Sequence, residues 1–452
     1  LWARKLQDAI AAGGPAGIAA IGGGRLTNEE AYLLARIFRG IGVESVDHRA
    51  GRQYRATPSK AGSTYDDVVQ AQTIFLLGRP PSQTAPILDL HVRKAVTKNG
   101  ARLIAIGPHS AGSFVPSERY SNASEVPADA FAVERVVGIW DGVDLTFADG
   151  LYERLHGGDH TPVSIGLLIP GDQPNARGAE AMGMLPREGA LDTRGIFEAA
   201  RDGKIRVLSL FGVNPLLRFA DGRLARAALD GSAFTVVSDL FMTETAQQAD
   251  LVLPARATFE KSGHVTSLTG ATTALARAQL APLGTLSDLE MLIALAAEIG
   301  VPVPSARELE TAATSYRSEI VPRELFATAP PPASGDGAAP RAALRVAFAE
   351  NAFSGGCTAR FDGSVDALRP RPTATLAPKT AAALGLAPGD LVDLELDGNP
   401  ILRGLTVRID DELEVGTVAL IDALPEAPAN VIAPSATLSL AARRPTRVGV
   451  PA

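Results

Sequence analysis

The stretches TIFLLGRPP (residues 73–81) and IRVLSLFGVNP (residues 205–215) share one pattern, and they decide the fold class. Each is an apolar strand that ends in Gly-x-x-Pro, and a predicted helix and a further apolar strand follow it. Apolar strands that alternate with helices are typical of parallel sheets covered on both faces. The pattern therefore predicts two doubly wound α/β domains of similar plan.

The same rhythm begins near the start of the sequence. An apolar strand at 16–21 precedes three glycines, and Thr27 and Glu30 have the spacing of a capping box at the start of a helix. Further short apolar strands are predicted at 43–46, 102–106, 164–169, 234–238 and 249–253. The α/β region therefore extends beyond residue 250.

The pattern changes in the last quarter of the chain. Residues 327–342 (ATAPPPASGDGAAPRA) are rich in Pro, Ala and Gly and predict a linker. Beyond it, apolar and polar residues alternate at 391–396 and 405–409, with turn residues at 397–400 between them. This alternation predicts a small β-rich domain at 343–452.

Composition limits the functions that the chain can have. It has 452 residues, 46% of them hydrophobic and 21% charged, which is typical of a globular protein of about two to four domains. The net charge of −7, without a basic stripe that carries aromatic residues, argues against nucleic-acid binding. No apolar run reaches the ~20 residues of a membrane-spanning helix.

The single cysteine, Cys357, limits the metal chemistry. Iron–sulfur clusters and thiolate metal centres need about three or four thiolates, so we expect none within these residues. His156 and His160 have the spacing of metal ligands but lack a third ligand nearby. The adjacent acids Glu29-Glu30 and Asp66-Asp67 are predicted to be helix caps and solvated side chains.

Four loops follow predicted strands, where parallel sheets bind ligands. They lie at 22–24, 78–81, 107–109 and 212–215, and their glycines would let a ligand approach the backbone. Any one of them is also typical of an ordinary tight turn, and no Gly-x-Gly-x-x-Gly or Walker motif is present. The residues alone indicate a nucleotide-like pocket, active or vestigial, without a convincing catalytic set.

Several stretches resemble the molybdopterin oxidoreductase family, and together they cover nearly the whole chain. The most specific one runs from Asn214-Pro215 through Ala249-Asp250-Leu251 to Glu260-Lys261-Ser262-Gly263. The others lie at 27–49, 67–101, 175–186 and 381–392, the last resembling the family's dinucleotide-binding β-barrel of the double-psi type.

Within the family, Asp47-His48-Arg49 and residues 175–186 look most like the large iron–sulfur subunit of NADH:quinone oxidoreductase (respiratory complex I). The resemblance implies a molybdopterin-oxidoreductase-like body that has lost its cofactor. It also implies [2Fe–2S] and [4Fe–4S] clusters in an N-terminal region, which we expect upstream of Leu1.

Departures from the family pattern favour loss of the cofactor. No thiolate follows Arg49 at 51–55, where active relatives have a metal ligand. The family's Gly-Thr-x-x-Asn-x-Glu-Gly-Arg run is here residues 263–271, with Ser267, Thr269 and Ala271 in place of Asn, Glu and Arg. The resemblance therefore predicts no catalytic or metal-binding residue and a vestigial cofactor pocket at Gly78, Pro81, Asn214, Pro215, Asp250, Glu260, Gly263 and Gly270.

The resemblance also implies a domain plan and a role. Residues 1–47 would join 190–326 in one α/β domain, with 48–189 inserted as the second. The chain would be a non-catalytic part of the subunit that braces the cluster-bearing region. Its partners would be the NADH-binding flavin subunit and the cluster-carrying subunits, on the cytoplasmic side of the bacterial plasma membrane.

Two alternatives remain open at this point. The first is a working molybdenum or tungsten bis-pterin oxidoreductase, similar to a formate dehydrogenase subunit. It needs a metal ligand near residues 48–58 and an intact pterin pocket. The second is a free-standing nucleotide-binding scaffold.

Overall fold

The computed structural model describes residues 1–52, 63–107, 115–141, 150–151, 154–155, 164–168, 173–315, 344–349, 351, 353–354, 358–432, 436 and 438–442. The helices of these residues are α1 (Trp2–Gly13), α2 (Asn28–Gly40), α3 (Tyr65–Gln70), α4 (Pro81–Thr84), α5 (Pro86–Asn99), α6 (Ala176–Ala181), α7 (Thr193–Arg201), α8 (Pro215–Arg218), α9 (Gly222–Gly231), α10 (Asp288–Ile299), α11 (Ala306–Thr314) and α12 (Pro378–Leu384).

The strands are β1 (Ile18–Gly22), β2 (Val46–Asp47), β3 (Thr73–Leu77), β4 (Arg102–Ile106), β5 (Glu118–Tyr120), β6 (Arg135–Trp140), β7 (Ser164–Leu168), β8 (Val207–Phe211), β9 (Phe234–Asp239), β10 (Leu251–Pro254), β11 (Gly263–Thr266), β12 (Thr272–Leu275), β13 (Arg345–Ala349), β14 (Thr373–Leu376), β15 (Leu391–Leu396), β16 (Asn399–Ile409), β17 (Thr417–Ile421) and β18 (Ser439–Ala442). The predicted linker at 327–342 lies outside the described residues.

Two parallel sheets form the α/β part of the described chain. The first has the order β10-β9-β8-β1-β2, so its strands come from two separate parts of the chain. The second has the order β5-β4-β3-β6-β7. Both sheets are doubly wound, as predicted, but their strand orders differ: 2-1-3-4-5 in the first and 3-2-1-4-5 in the second.

The core of the first sheet explains why its strands are apolar throughout. Ile18 and Ala20 of β1 face the cluster beneath α1, α2 and α10, whereas Ala19 and Ile21 face the cluster beneath α7 and α9. Side chains alternate between the faces of a strand, so both sets of residues must be apolar in a sheet covered on both sides. Each large side chain buried in this way contributes about 1.5–3 kcal/mol.

The C-terminal strands form a closed mixed sheet in the order β13-β17-β14-β16-β15-β18. The ladder closes into a barrel because Leu344 and Leu438, next to the two edge strands, form an antiparallel bridge. β15 and β16 are joined by Asp397-Gly398, whose φ angles of 51° and 75° are those of a tight hairpin turn. The prediction of two doubly wound domains followed by a β-barrel is therefore confirmed.

None of the helices in the described part of the chain has the length and apolarity that crossing a bilayer requires.

Candidate functional site

A small cavity lies at the switch point of the first sheet. The chain leaves β1 toward β2 on one side, and β8 lies on the other, so the loops after β1 and β8 diverge and leave a crevice. The cavity encloses about 30 Å³, which is room for one or two water molecules. Its wall includes Arg25, His48, Arg49, Gln173, Gly212, Asn214 and Arg218.

Arg49, on this wall, is paired with a carboxylate of its own segment. Its Nε and Nη2 atoms donate to the two oxygens of Asp47, each at 2.8 Å. The backbone nitrogen of Thr193 also donates to Asp47, at 2.8 Å. Burial alone would raise the pKa of Asp47, but the Arg49 guanidinium outweighs it and lowers this pKa. The pair is therefore ionised and its donors and acceptors are engaged.

The switch point of the second sheet, between β3 and β6, contains a similar pair. Gly78 follows β3 with φ of 82°, and a Cβ atom there would lie 2.5 Å from Oδ2 of Asp141, which follows β6. Asp141 accepts hydrogen bonds from the backbone nitrogen of Arg79 at 3.0 Å and from its Nε at 3.2 Å. Glycine at position 78 thus makes room for the carboxylate that holds Arg79.

A third pair connects these loops to the barrel. Arg52 donates to Asp422, at the end of β17, through Nε at 2.5 Å and Nη2 at 3.0 Å, and its guanidinium lies over the Phe348 ring. Burial would raise the pKa of Asp422, but Arg52, then Arg218 and Arg79, lower it. The Asp422 carboxylate therefore interacts electrostatically with arginines from both switch points, Arg218 at the first and Arg79 at the second. We call the pairs Arg49–Asp47, Arg52–Asp422 and Arg79–Asp141 the junction.

Asn214 and Pro215 lie where the sequence predicts them, at the carboxyl end of β8. The amide nitrogen of Asn214 donates to Glu244 at 2.8 Å, and its oxygen accepts from the Thr245 hydroxyl at 2.7 Å. Pro215 opens the four-residue helix α8, and Pro81 opens the equally short α4 in the second domain. The repeated Gly-x-x-Pro motif thus makes the same strand–turn–helix at both switch points.

The structure does not bring Asp250 and Glu260 to the cavity. Asp250 is exposed at the amino end of β10 and accepts from the backbone nitrogen of Thr235 at 2.7 Å. Glu260 accepts from the backbone nitrogen of Ala257 at 2.8 Å and closes the 3₁₀ turn Thr258–Glu260. Both carboxylates hold local backbone in place.

Gly263 and Gly270 belong to the β11–β12 hairpin. A Cβ atom at Gly263 would lie 2.8 Å from Oε2 of Glu29 and 2.8 Å from Cβ of Thr27, so this glycine lets the hairpin approach the start of α2. Gly270 has φ of 85° in the hairpin turn and donates to the carbonyl of Ser267 at 2.9 Å. The two glycines support the backbone path of the hairpin.

The two acidic pairs lie at helix starts, as predicted, but only one of them is solvated. Glu30 forms a capping box with Thr27, and Asp67 forms one with Thr64. Asp66 and Asp67 are exposed, whereas Glu29 and Glu30 are 8% and 1% exposed, respectively. The hairpin covers the start of α2, and nothing near Glu30 in the sequence indicates this contact.

Several junction residues were missed in the sequence. Asp141 could have been found, because it directly follows β6 at the carboxyl edge of its sheet. Arg52 and Asp422 are 370 positions apart and have no local signal. His48, which the sequence singled out only within Asp47-His48-Arg49, lines the cavity, and its Nε2 lies 3.5 Å from Glu180 Oε1.

Within the residues that the structure describes, no group of three or more His, Cys, Asp or Glu side chains could hold a metal ion. Cys357, His109, His156 and His160 lie outside those residues.

The described residues around the cavity do not fit a pterin dinucleotide. The cavity has the volume of one or two water molecules, and Arg49 on its wall already binds Asp47. The hairpin turn also bonds to itself, since the Ser267 nitrogen donates to the Ala271 carbonyl at 2.8 Å and the hydroxyls of Ser267 and Thr269 are 3.1 Å apart.

Comparisons with known proteins agree with the fold. The chain is 24% identical to NADPH-Fe(3+) oxidoreductase subunit alpha of Geobacter sulfurreducens, over 92% of this chain and 62% of that protein. It is 26% identical to the G-type subunit of NADH-quinone oxidoreductase from Mycobacterium tuberculosis, over 85% of this chain and 54% of that protein. The chain thus spans little more than half the length of these relatives.

A solved structure extends the likeness to the whole fold. Acetylene hydratase from Pelobacter acetylenicus superposes with a TM-score of 0.62 at 14% identity, covering 97% of this chain and 88% of that protein. The molybdopterin oxidoreductase family profile matches residues 1–137 and 154–298. The resemblance predicted from the sequence motifs is confirmed, and the chain belongs to the molybdopterin oxidoreductase family.

Proposed function

We propose that this chain is the structural body of the large peripheral-arm subunit of a proton-translocating NADH:quinone oxidoreductase, with no redox centre in these residues. The likeness to the mycobacterial NADH-quinone oxidoreductase, which covers 85% of this chain, supports the proposal. The observation that carries the proposal is the junction, where carboxylates of the chain pair with Arg49 on the cavity wall and with Arg52 and Arg79 in the neighbouring loops.

The energetics of the junction favour a body without a dinucleotide. Arg52 is 4% and Arg79 is 5% exposed, and each carries a buried carboxylate partner. A pyrophosphate would have to displace these carboxylates, and breaking a buried ion pair costs about 3–5 kcal/mol. Arg52–Asp422 connects these loops to the barrel, and the other two pairs engage Arg49 and Arg79 within their own domains.

The hairpin turn supports the same conclusion. Ala271 stands where active relatives place an arginine, and an alanine cannot make the bidentate bonds that an arginine makes to a pyrophosphate. Ser267 and Thr269 bond to each other instead. The turn keeps its shape by local hydrogen bonds and needs no ligand to support it.

In this proposal the chain has a structural role and carries out no redox chemistry itself. It braces a separate region that carries [2Fe–2S] and [4Fe–4S] clusters, and electrons pass through those clusters. The NADH-binding flavin subunit and the cluster-carrying subunits are its partners. The assembly lies on the cytoplasmic side of the bacterial plasma membrane, as the peripheral arm of a membrane complex.

The test is purification of the tagged, full-length subunit from native membranes, with metal analysis by mass spectrometry and pterin fluorescence after oxidation. We expect the flavin subunit and iron to co-purify, with molybdenum and tungsten far below one atom per chain. Stoichiometric molybdenum or tungsten with a fluorescent pterin would contradict the proposal. A lone monomer on gel filtration, without respiratory partners, would instead favour a free-standing nucleotide-binding scaffold.

A second candidate is a working molybdenum or tungsten oxidoreductase of the formate dehydrogenase type. The observation on its side is the position of the cavity, at the switch point where parallel sheets bind their ligands, whereas the volume of the cavity argues against a bound pterin. The same metal analysis separates the two candidates. Formate-dependent reduction of a viologen dye by the purified subunit would support the second candidate only if the metal is present.

A further inference from the structure

The β11–β12 hairpin lies outside both parallel sheets and contacts both α/β domains. At its base, β11 contacts α2 of the first domain, where the backbone nitrogen of His264 donates to Glu29 at 2.9 Å. In its turn, Leu268 packs against the apolar core of the second domain, which includes Val68, Leu88 and Val92. We call this hairpin the strap.

Three ionisable side chains meet at the base of the strap. Lys261, just before β11, has its Nζ 2.6 Å from Oε2 of Glu30 and 3.6 Å from Oδ2 of Asp288. The side chains of Lys261, Glu30 and Asp288 are 6%, 2% and 5% exposed, respectively. Ser238, at the end of β9, donates to Asp288 at 2.5 Å. We call Glu30, Lys261 and Asp288 the clasp.

The clasp has two carboxylates for one ammonium group. Three further acids on the surrounding elements are engaged elsewhere. Glu29 of α2 pairs with His264 of β11 at 2.6 Å, Glu290 of α10 pairs with Arg256 at 2.7 Å, and Asp239 of β9 accepts from the nitrogen of Leu240 at 2.7 Å. With both carboxylates ionised, the clasp carries one uncompensated negative charge in a buried site, which is costly.

A proton removes this charge, and the geometry indicates where it binds. Glu30 accepts from the Thr27 nitrogen at 2.8 Å and from Lys261 at 2.6 Å. Asp288 is farther from Lys261, at 3.6 Å, and accepts from the Ser238 hydroxyl. Burial and then the Glu30 carboxylate raise the pKa of Asp288 to about 6.

We propose that the clasp is a proton-binding site, and that the proton on Asp288 sets how firmly the strap is held between the two α/β domains. With the proton bound, Lys261 and Glu30 form a neutral ion pair, and water is excluded from the base of the strap. When the proton leaves, the unbalanced charge favours entry of water, and the base of the strap opens more often. This inference does not depend on the function proposed above.

Hydrogen exchange of the strap amides tests the proposal in the full-length subunit. After correction for the intrinsic rate, we expect protection of peptides from 263–275 to fall several-fold between about pH 5 and pH 8, on either side of the Asp288 transition. In Asp288→Asn this step disappears, whereas it persists in Asp66→Asn, which changes an exposed acid on α3. Equal protection at both pH values in the wild type, or a step that persists in Asp288→Asn, overturns the proposal.

Infrared difference spectroscopy provides a test that does not need the Asp288 variant to fold. With isotopically labelled aspartate, we expect a protonated-carboxyl band that disappears as the pH rises through about 6. Asp239, whose pKa is also raised by burial, is the other aspartate to separate, and the band must persist in Asp239→Asn. If no aspartate band titrates above about pH 5 in that variant, the proposal is wrong.

Discussion

At the junction each of three buried arginines has its own carboxylate, whereas at the clasp two carboxylates share one lysine. The side chains of both sites are buried, so burial alone does not distinguish them. The charge balance does: each junction arginine faces one carboxylate, while the charges of the clasp balance only when it binds a proton. We expect the junction to behave as a permanent brace and the clasp as an adjustable one.

The largest effect should follow from breaking the junction. Asp422→Asn leaves Arg52 buried without a counter-charge, and we expect the apparent free energy of unfolding to fall by about 3–5 kcal/mol. Urea denaturation followed by far-ultraviolet circular dichroism measures it. Glu414→Gln in the same barrel is the matched control, because its pair with Arg345 is partly exposed and should contribute less than about 1 kcal/mol.

The double variant Arg52→Met/Asp422→Leu sharpens this test, because it removes both charges and keeps an apolar contact with Phe348. Replacement of a whole buried ion pair by apolar residues is often close to neutral. We therefore expect most of the stability lost in Asp422→Asn to return. An unchanged stability in Asp422→Asn itself would mean that the junction does not brace the domains.

The next effect concerns the clasp and depends on pH. The pKa of Asp288 is about 6 in the folded chain, against an ordinary value of 3.8, so the folded state binds the proton more tightly than the unfolded state does. Its stabilising contribution is present below about pH 4 and is lost as the pH rises through about 6, a loss of about 3 kcal/mol.

Asp288→Asn should remove this loss, so the stability of the variant relative to the wild type should increase as the pH rises from about 5 to 8. Urea denaturation at a series of pH values measures the difference. A difference that stays constant with pH would show that the clasp does not bind a proton in this range.

A smaller effect is expected at the second switch point, where two glycine variants distinguish the cost of a steric clash from the cost of a left-handed backbone conformation. Gly78→Ala places a Cβ atom 2.5 Å from Asp141, and Gly78 also has a left-handed φ of 82°. Gly100→Ala is the control, because its φ of 71° is similar but nothing lies within 4 Å of its Cβ. The left-handed conformation costs about 1–2 kcal/mol at both positions.

The clash at Gly78 should add about 2 kcal/mol, because Asp141 must move away from Arg79 to make room. The difference in the apparent free energy of unfolding between the two variants therefore measures the fit of Asp141. Equal destabilisation in Gly78→Ala and Gly100→Ala would mean that this carboxylate moves aside without cost.

Local and long-range features explain which parts of the molecule the sequence predicts. The strand–Gly-x-x-Pro motif is local, so its two strands, turns and helices were predicted correctly. The strand order of each sheet, and pairs such as Arg52–Asp422, depend on how distant segments meet, which periodicity does not encode. Asp250 is a different case: it precedes its strand, and so the rule that ligands bind at carboxyl ends already argued against it.

The clasp also combines a local feature that the sequence predicts with a long-range contact that it does not predict. Thr27 and Glu30 predict a helix start, and the capping box is present, because caps depend on residues three apart. The burial of Glu30 depends on Lys261, which lies 231 positions away. A cap motif therefore predicts the local hydrogen bonds of a carboxylate such as Glu30. It does not predict the distant charged side chain, here Lys261, that pairs with the carboxylate after folding.

The smallest effect tests whether the cap and the clasp are separable. Thr27→Ala removes the hydroxyl that accepts from the Glu30 nitrogen at 3.3 Å, but it keeps the backbone bond from the Thr27 nitrogen to Glu30. We expect a loss of about 1 kcal/mol in the apparent free energy of unfolding, independent of pH, because no charge changes. Thr64→Ala at the exposed capping box of α3 is the control and should show a similar loss. A pH-dependent loss in Thr27→Ala alone would mean that the hydroxyl also positions the Glu30 carboxylate for Lys261, and the clasp would then include the cap.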